Sequence, residues 1–259
     1  MSTAGATDAR LWCRRIGAGV PLLFVPPPVI GAAAFQRVEE LLADRYEILR
    51  VELRGHGASP RASGPYDYAA VSADLADLMM AQGLPRAVVV GYSMGATMAL
   101  DFTLTYPERV MAAVLVGAFS EPRHPLLRLE LALGAHLSRS ACMPLVRAAI
   151  AAGNAPGLGA FRLYHRAGSR AHAREVRDLF RCARRYSCTR RLGEILVPVC
   201  LVYGGRDPIR RPHSDLLRRG LPDSELVILP GVRHEVPTKA AEGLAGVIDT
   251  FLHQRGFGR

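Results

Sequence analysis

The sequence predicts an α/β fold: a mostly parallel central sheet with helices on both faces and a helical cap inserted between two of its strands. Three observations predict it. Apolar runs of strand length alternate with longer helical patterns over most of the chain. Several of those runs are rich in Val, Ile and Leu without alternation, as expected of strands covered on both faces. The alternation fails once, over residues 121–195, where only helix-like stretches punctuated by Pro and Gly occur.

Taken in order, strands are expected at 11–15, 22–25, 47–53, 87–91, 111–116, 197–203 and 225–228. Helices are expected at 34–43, 69–82, 94–106, 212–219 and 239–254, with Gly83 and Pro107 standing where two of them should stop. No repeat or linker divides the chain. Residues 1–120 and 196–259 form the expected core, and 121–195 the cap. At 259 residues, with 49% hydrophobic and 22% charged, the chain can bury a full core, which excludes a disordered or collagen-like protein.

Charge and cysteines narrow the function classes. The longest uncharged apolar stretch, 20–35, is broken by Pro21, Pro26, Pro27 and Pro28, so no spanning helix is expected. Residues 1–15 have no hydrophobic run ahead of their arginines, so the expected location is cytoplasmic, with no membrane partner. The five cysteines are odd in number and lack any Cys-x-x-Cys spacing. Reduced thiols are expected, with no metal and no organic cofactor. Net charge is +10, and the segment 121–195 alone holds 14 arginines against five acids.

The chemistry gathers around Gly91-Tyr92-Ser93-Met94-Gly95, which follows a strand and opens a helix. A nucleophilic serine on such a turn needs a strained backbone to project its hydroxyl, and glycines on either side so that strand and helix can approach. It also needs a base and an orienting acid, in the chain order Ser, Asp or Glu, His. Asp207 follows a strand in Gly204-Gly205-Arg206-Asp207-Pro208, where the sites of open α/β sheets form. His234 follows the last strand and precedes the last helix. Glu121 also follows a strand and is the rival acid, ahead of Glu235.

With Arg54-Gly55-His56-Gly57-Ala58-Ser59 added, these motifs resemble the α/β-hydrolase fold superfamily, in its serine esterase, lactonase and thioesterase type with a helical cap. The resemblance covers nearly everything except the cap. It implies Ser93 as nucleophile, His234 as base and Asp207 as orienter, with the Met94 N–H in an oxyanion hole. The second donor should come from the loop after the second strand. There the family has His-Gly where this chain has Pro26-Pro27-Pro28, and proline has no N–H. Val29 is the first residue able to donate and takes that assignment. Glu52, standing where the family has Asp, reads as a structural residue holding the 54–57 loop.

The leading expectation is hydrolysis of an ester, thioester or lactone through an acyl-enzyme. The alternative is a non-hydrolytic biosynthetic enzyme on the same fold: a cyclase, lyase or acyl transferase, with a carrier-bound acyl group among its candidate substrates. A non-catalytic binding protein is the third reading. Phe161, Tyr164 and Phe180 are candidate substrate contacts, with core packing as their other reading. Residues 169–186 read as one amphipathic helix N-capped by Ser169, with Ala173, Val176, Phe180 and Ala183 on its apolar stripe. Arg170, Arg174, Arg177, Arg181 and Arg184 form a parallel basic stripe. It reads either as a solvated face or as the seat of an acidic carrier protein or anionic substrate. Nucleic acid is not an expected partner, because a single helical stripe offers no groove-reading element.

Overall fold

Seven strands form one sheet in a computed structural model that describes residues 11–139 and 141–258. Segment 1–10, part of the stretch read for a leader, lies outside the described residues. The strands are β1 (Cys13–Ile16), β2 (Pro21–Val25), β3 (Glu47–Val51), β4 (Ala87–Tyr92), β5 (Val110–Val116), β6 (Val199–Gly204) and β7 (Ser224–Leu229). Their spatial order is β1-β3-β2-β4-β5-β6-β7, and only β1, at the edge, runs antiparallel to its neighbour.

Among the described residues six α-helices belong to the core and four to the insertion between β5 and β6. The first part of the chain forms α1 (Gln36–Leu42), α2 (Tyr68–Ala81) and α3 (Met94–Thr105). Asp67 caps α2 by accepting from the Ala70 N–H at 2.9 Å. The last part forms α8 (His213–Gly220), α9 (Val236–Lys239) and α10 (Ala241–Gln254). The expected helix 34–43 is preceded by a tight 3-10 turn, Gly31–Phe35, and the expected helix 239–254 breaks at Ala240.

The apolar runs bury both faces of the sheet. Leu23, Val25, Leu49, Val89, Leu115 and Leu201 pack with Leu75, Met79, Leu100 and Phe102 of α2 and α3. Their strand neighbours Leu22, Phe24, Ile48, Val88, Val90 and Val202 pack with Val38, Leu42, Ile248 and Phe251 of α1 and α10. Each such side chain contributes about 1.5–3 kcal/mol by leaving water. This two-sided burial is why the strands read as continuous hydrophobic runs.

Between β5 and β6 lie α4 (Pro125–Leu137), α5 (Met143–Asn154), α6 (Leu158–Gly168) and α7 (Ala173–Arg185). Helix α4 packs on α7 and α5 on α6. The single helix expected over 169–186 is corrected here. Ser169 ends α6 instead of starting α7: its N–H donates to His165 O and its hydroxyl to Arg166 O, at 2.9 and 2.7 Å. The chain then turns, and the His172 N–H donates to Gly55 O at 2.8 Å, docking the insertion on the core. The stripe expected to be apolar is turned inward, with Val176 and Ala183 fully buried.

Candidate active site

Ser93 sits between β4 and α3 with φ 58° and ψ −125°, one of two non-glycine residues in the left-handed region among those described. Such a backbone costs on the order of 1–3 kcal/mol and persists only when its surroundings enforce it. Here they do. The Ser93 N–H donates to Val116 O at 2.8 Å, tying the turn to β5. A Cβ at Gly91 would stand 2.5 Å from Ala96 Cα, and one at Gly95 2.2 Å from Val25 O. The glycines are therefore required by the approach of helix to strand.

The Ser93 Oγ lies 2.8 Å from His234 Nε2. On the far side of the ring, His234 Nδ1 stands 3.2 Å from Asp207 Oδ2, close but not aligned as a well-formed hydrogen bond. Resting catalytic contacts are commonly loose in this way and tighten in the complex. The other oxygen, Asp207 Oδ1, accepts from the Ile209 and Arg210 N–H groups, both at 3.0 Å. Glu121 is elsewhere, engaged by Arg123 and by Ser187 Oγ. Gly117, with φ 67°, leaves room for the imidazole: a Cβ there would be 2.8 Å from His234 Cε1.

The electrostatics suit a base at rest. Burial pushes the His234 ring below its ordinary value, and the nearby Arg210 charge pushes it further, against the pull of Asp207. Burial would raise Asp207, but the His234 ring and the Arg210 N–H outweigh it and hold the carboxyl at about 2. Near neutral pH the imidazole is thus free to accept a proton while the Asp207 carboxyl is ionised.

Ser93, Met94 and His234 open onto a cavity of about 110 Å³ walled by Pro27, Pro28, Phe119, Leu127, Leu131 and Phe180. As the first residue of α3, Met94 has an N–H without an acceptor inside the helix. Pro28 reaches the cavity, but Val29 is not among its lining residues. Val29 takes φ 74°, and its side chain packs with Met143, Val146, Ala171 and Val176. The left-handed backbone thus turns the Val29 side chain into the insertion, while Pro27 and Pro28 line the cavity beside Ser93; the oxyanion assignment concerns the Val29 N–H and stands as a proposal. Glu52 holds the same loop, since its Oε2 accepts from the Ala32 N–H at 3.3 Å. Cβ atoms at Gly31 or Gly57 would collide with its carboxyl end.

Of the aromatic candidates, Phe180 lines the cavity. Phe161 and Tyr164 do not. Helix α6 packs against the 3-10 turn at Gly31–Phe35, so Tyr164 is buried in the core cluster there and Phe161 stacks on His165 at 5.7 Å. The basic stripe is divided. Arg170 precedes α7, Arg174 Nη2 donates to Gly64 O at 2.6 Å, and Arg177 is half-buried. Arg181 and Arg184 are exposed. Two cavity residues escaped the sequence reading: Glu130 on α4, and Arg210 in the loop after β6. In a chain this rich in arginine, nothing marked Arg210 apart from its place three residues after Asp207.

Comparison with known proteins accords with this geometry. A sequence profile of the alpha/beta hydrolase fold matches residues 30–141. A thermophilic esterase from Thermogutta terrifontis superposes with a TM-score of 0.84 at 22% identity, covering 97% of this chain and 96% of that one. The chain has the α/β-hydrolase fold. An enol-lactonase from Burkholderia xenovorans shares this fold with a TM-score of 0.83 at 16% identity, covering 94% and 96% of the two chains. By sequence, the α/β-hydrolase chain is 31% identical over 121 residues to a putative carbamate hydrolase, RutD, of Azorhizobium caulinodans. That match spans 46% of this chain and 45% of the relative's length. It is also 28% identical over 235 residues to a pimeloyl-[acyl-carrier protein] methyl ester esterase of Neisseria meningitidis, covering 80% and 83% of the two proteins.

Proposed function

We propose that the protein is a serine hydrolase that cleaves an ester, thioester or lactone through an acyl-enzyme. The observation that carries this reading is the 2.8 Å contact between Ser93 Oγ and His234 Nε2, with Asp207 behind the ring. His234 removes the hydroxyl proton as Ser93 attacks the carbonyl, then gives that proton to the departing alcohol or thiol. A water, deprotonated by the same imidazole, releases the acid. Asp207 stays ionised and stabilises the imidazolium. The cavity is small beside the roughly 300–1,000 Å³ of drug-sized sites, which favours a small substrate or the small reactive end of a larger one. The exposed Arg181 and Arg184 would suit an acidic carrier protein delivering such a group.

One observation favours the second reading, a cyclase, lyase or acyl transferase. Pro28 lines the cavity on the side where the family's second oxyanion donor is expected, and it has no N–H to offer. Losing one such donor slows acyl transfer by about 10²–10³. The experiment is intact mass spectrometry of one sample after a fluorophosphonate, and mass analysis of the products that a second, unlabelled sample forms from candidate esters. The hydrolase reading expects one adduct on wild type, none on Ser93→Ala or His234→Ala, and products whose summed mass exceeds that of the substrate by one water. Undiminished labelling of Ser93→Ala would end the assignment, and a product of unchanged mass would favour cyclisation.

A further inference from the structure

The reading above leaves one charged pair in the cavity without a role. Arg210 and Glu130 both line the cavity that Ser93 and His234 open onto, and their side chains form an ion pair. The two partners are unequally held. The Arg210 side chain is 9% exposed, whereas that of Glu130 is 46% exposed and belongs to the cap helix α4. Arg210 is fixed from below, because its own N–H is spent on Asp207 Oδ1. Its guanidinium carries five N–H donors, and among the described residues its one side-chain hydrogen bond runs from Nη2 to a Glu130 carboxylate oxygen. The pair meets on the cavity wall.

A buried cation with unused donors in an apolar cavity needs an anion. Glu130 can release it at little cost, because that carboxylate is already half in water. An arginine fork is built for a carboxylate, which it binds through two parallel hydrogen bonds. We propose that Arg210 forms a carboxylate subsite, so that the substrate is an ester, thioester or lactone bearing a free carboxylate, with Glu130 holding that place in the resting enzyme. The proposal rests on the hydrolase reading for the reaction, but the subsite itself is a matter of binding. On substrate entry no covalent bond changes at Arg210: one carboxylate replaces another, and Glu130 turns to solvent. The size of the cavity points to short chains.

The test compares pairs that differ by one carboxylate. Mono-4-nitrophenyl glutarate is set against 4-nitrophenyl valerate for kcat/KM, and the monoamide of glutarate against valeramide, which has no carboxylate, for binding by calorimetry. Wild type, Arg210→Gln and Glu130→Gln are measured side by side. Wild type should favour the carboxylated member by about 10- to 100-fold, the worth of a charged hydrogen-bonded pair. Arg210→Gln should bring the ratio close to one, and Glu130→Gln should raise it by removing the competitor. A wild-type ratio at or below one overturns the proposal. So does a ratio that Arg210→Gln leaves intact, or one that falls in Glu130→Gln. If no ester is cleaved and no phosphonate adduct forms, the hydrolase reading fails, and the binding ratio of glutarate monoamide to valeramide still decides the subsite. If neutral esters are cleaved but glutarate monoamide binds no better than valeramide, the subsite fails alone.

Discussion

Replacing Gly117 with alanine should disable the candidate site without altering Ser93, His234 or Asp207. The added Cβ would stand 2.8 Å from His234 Cε1 and 3.0 Å from Nδ1. An unstrained carbon–carbon contact needs about 3.5–4.0 Å, so the ring must retreat by about 0.7–1.2 Å. Tyr92 packs against the imidazole with centroids 5.2 Å apart, so the ring does not swing freely. A retreat of that size takes the 2.8 Å contact with Ser93 Oγ out of hydrogen-bond range. Misplacement by about 1 Å can cost 10²-fold in rate. The stability effect is separate and smaller: alanine at φ 67° costs roughly 1–2 kcal/mol, or about 2–8 °C in a domain of this size. The assay is the rate of fluorophosphonate labelling of Ser93 by intact mass, beside a thermal melt. We expect labelling about 10²-fold slower with a modest fall in Tm. Labelling within a few-fold of wild type would show that Gly117 does not set the ring's position.

Other outcomes follow from the same geometry. Asp207→Asn should lower kcat by about 10⁴ through loss of ring orientation, while Glu121→Gln leaves it unchanged; the reverse would make Glu121 the acid. Because burial and Arg210 depress the His234 ring, the acid-side half-maximum of kcat/KM should lie below the 6.5 of an ordinary imidazole, with a one-proton fall, read from a pH–rate profile. Burial raises Glu52 from 4.5 to about 7, so between those values the folded chain keeps a proton that the unfolded chain releases. Stability should therefore fall with rising pH across that window, by on the order of 3 kcal/mol, and Glu52→Gln should remove that slope from a plot of Tm against pH; equal slopes would refute it. Pro28→Ala places an N–H on the cavity wall and should speed ester hydrolysis by up to about 10²–10³; no gain would mean that the second donor comes from another group.

The sheet was legible because its signal is local and repeated. All seven strands lie within two residues of their expected positions, since burial on both faces leaves an uninterrupted apolar run. The serine turn was legible for a different reason: Gly91 and Gly95 are demanded by backbone contacts shorter than any side chain allows. What escaped depends on how the insertion lies over the core. The periodicity of 169–186 runs through Ser169 to Ala173, yet the His172 N–H finds Gly55 O and the chain turns. No pattern within the segment announces a carbonyl more than a hundred residues away. Phe161 and Tyr164 have the same composition signal as Phe180, and only the face each helix offers separates them. Val29 was chosen by eliminating prolines, a rule about donors that did not foresee its left-handed backbone or the packing of its side chain into the insertion.

The loop from Asp207 to Arg210 serves two masters. One carboxylate oxygen of Asp207 is held by the N–H groups of Ile209 and Arg210, while the other faces the imidazole. Any backbone shift that re-aims the Arg210 side chain must also tilt Asp207, and with it His234. Glu130 hangs from a separate helix and meets this loop through the Arg210 guanidinium, not through the loop backbone. A lineage changing its substrate would therefore vary the cap side of the cavity freely and the loop side only by exchange of side chains. Laboratory libraries for altered selectivity should be drawn on α4, where a variant can fail to recognise its substrate and still be a competent catalyst.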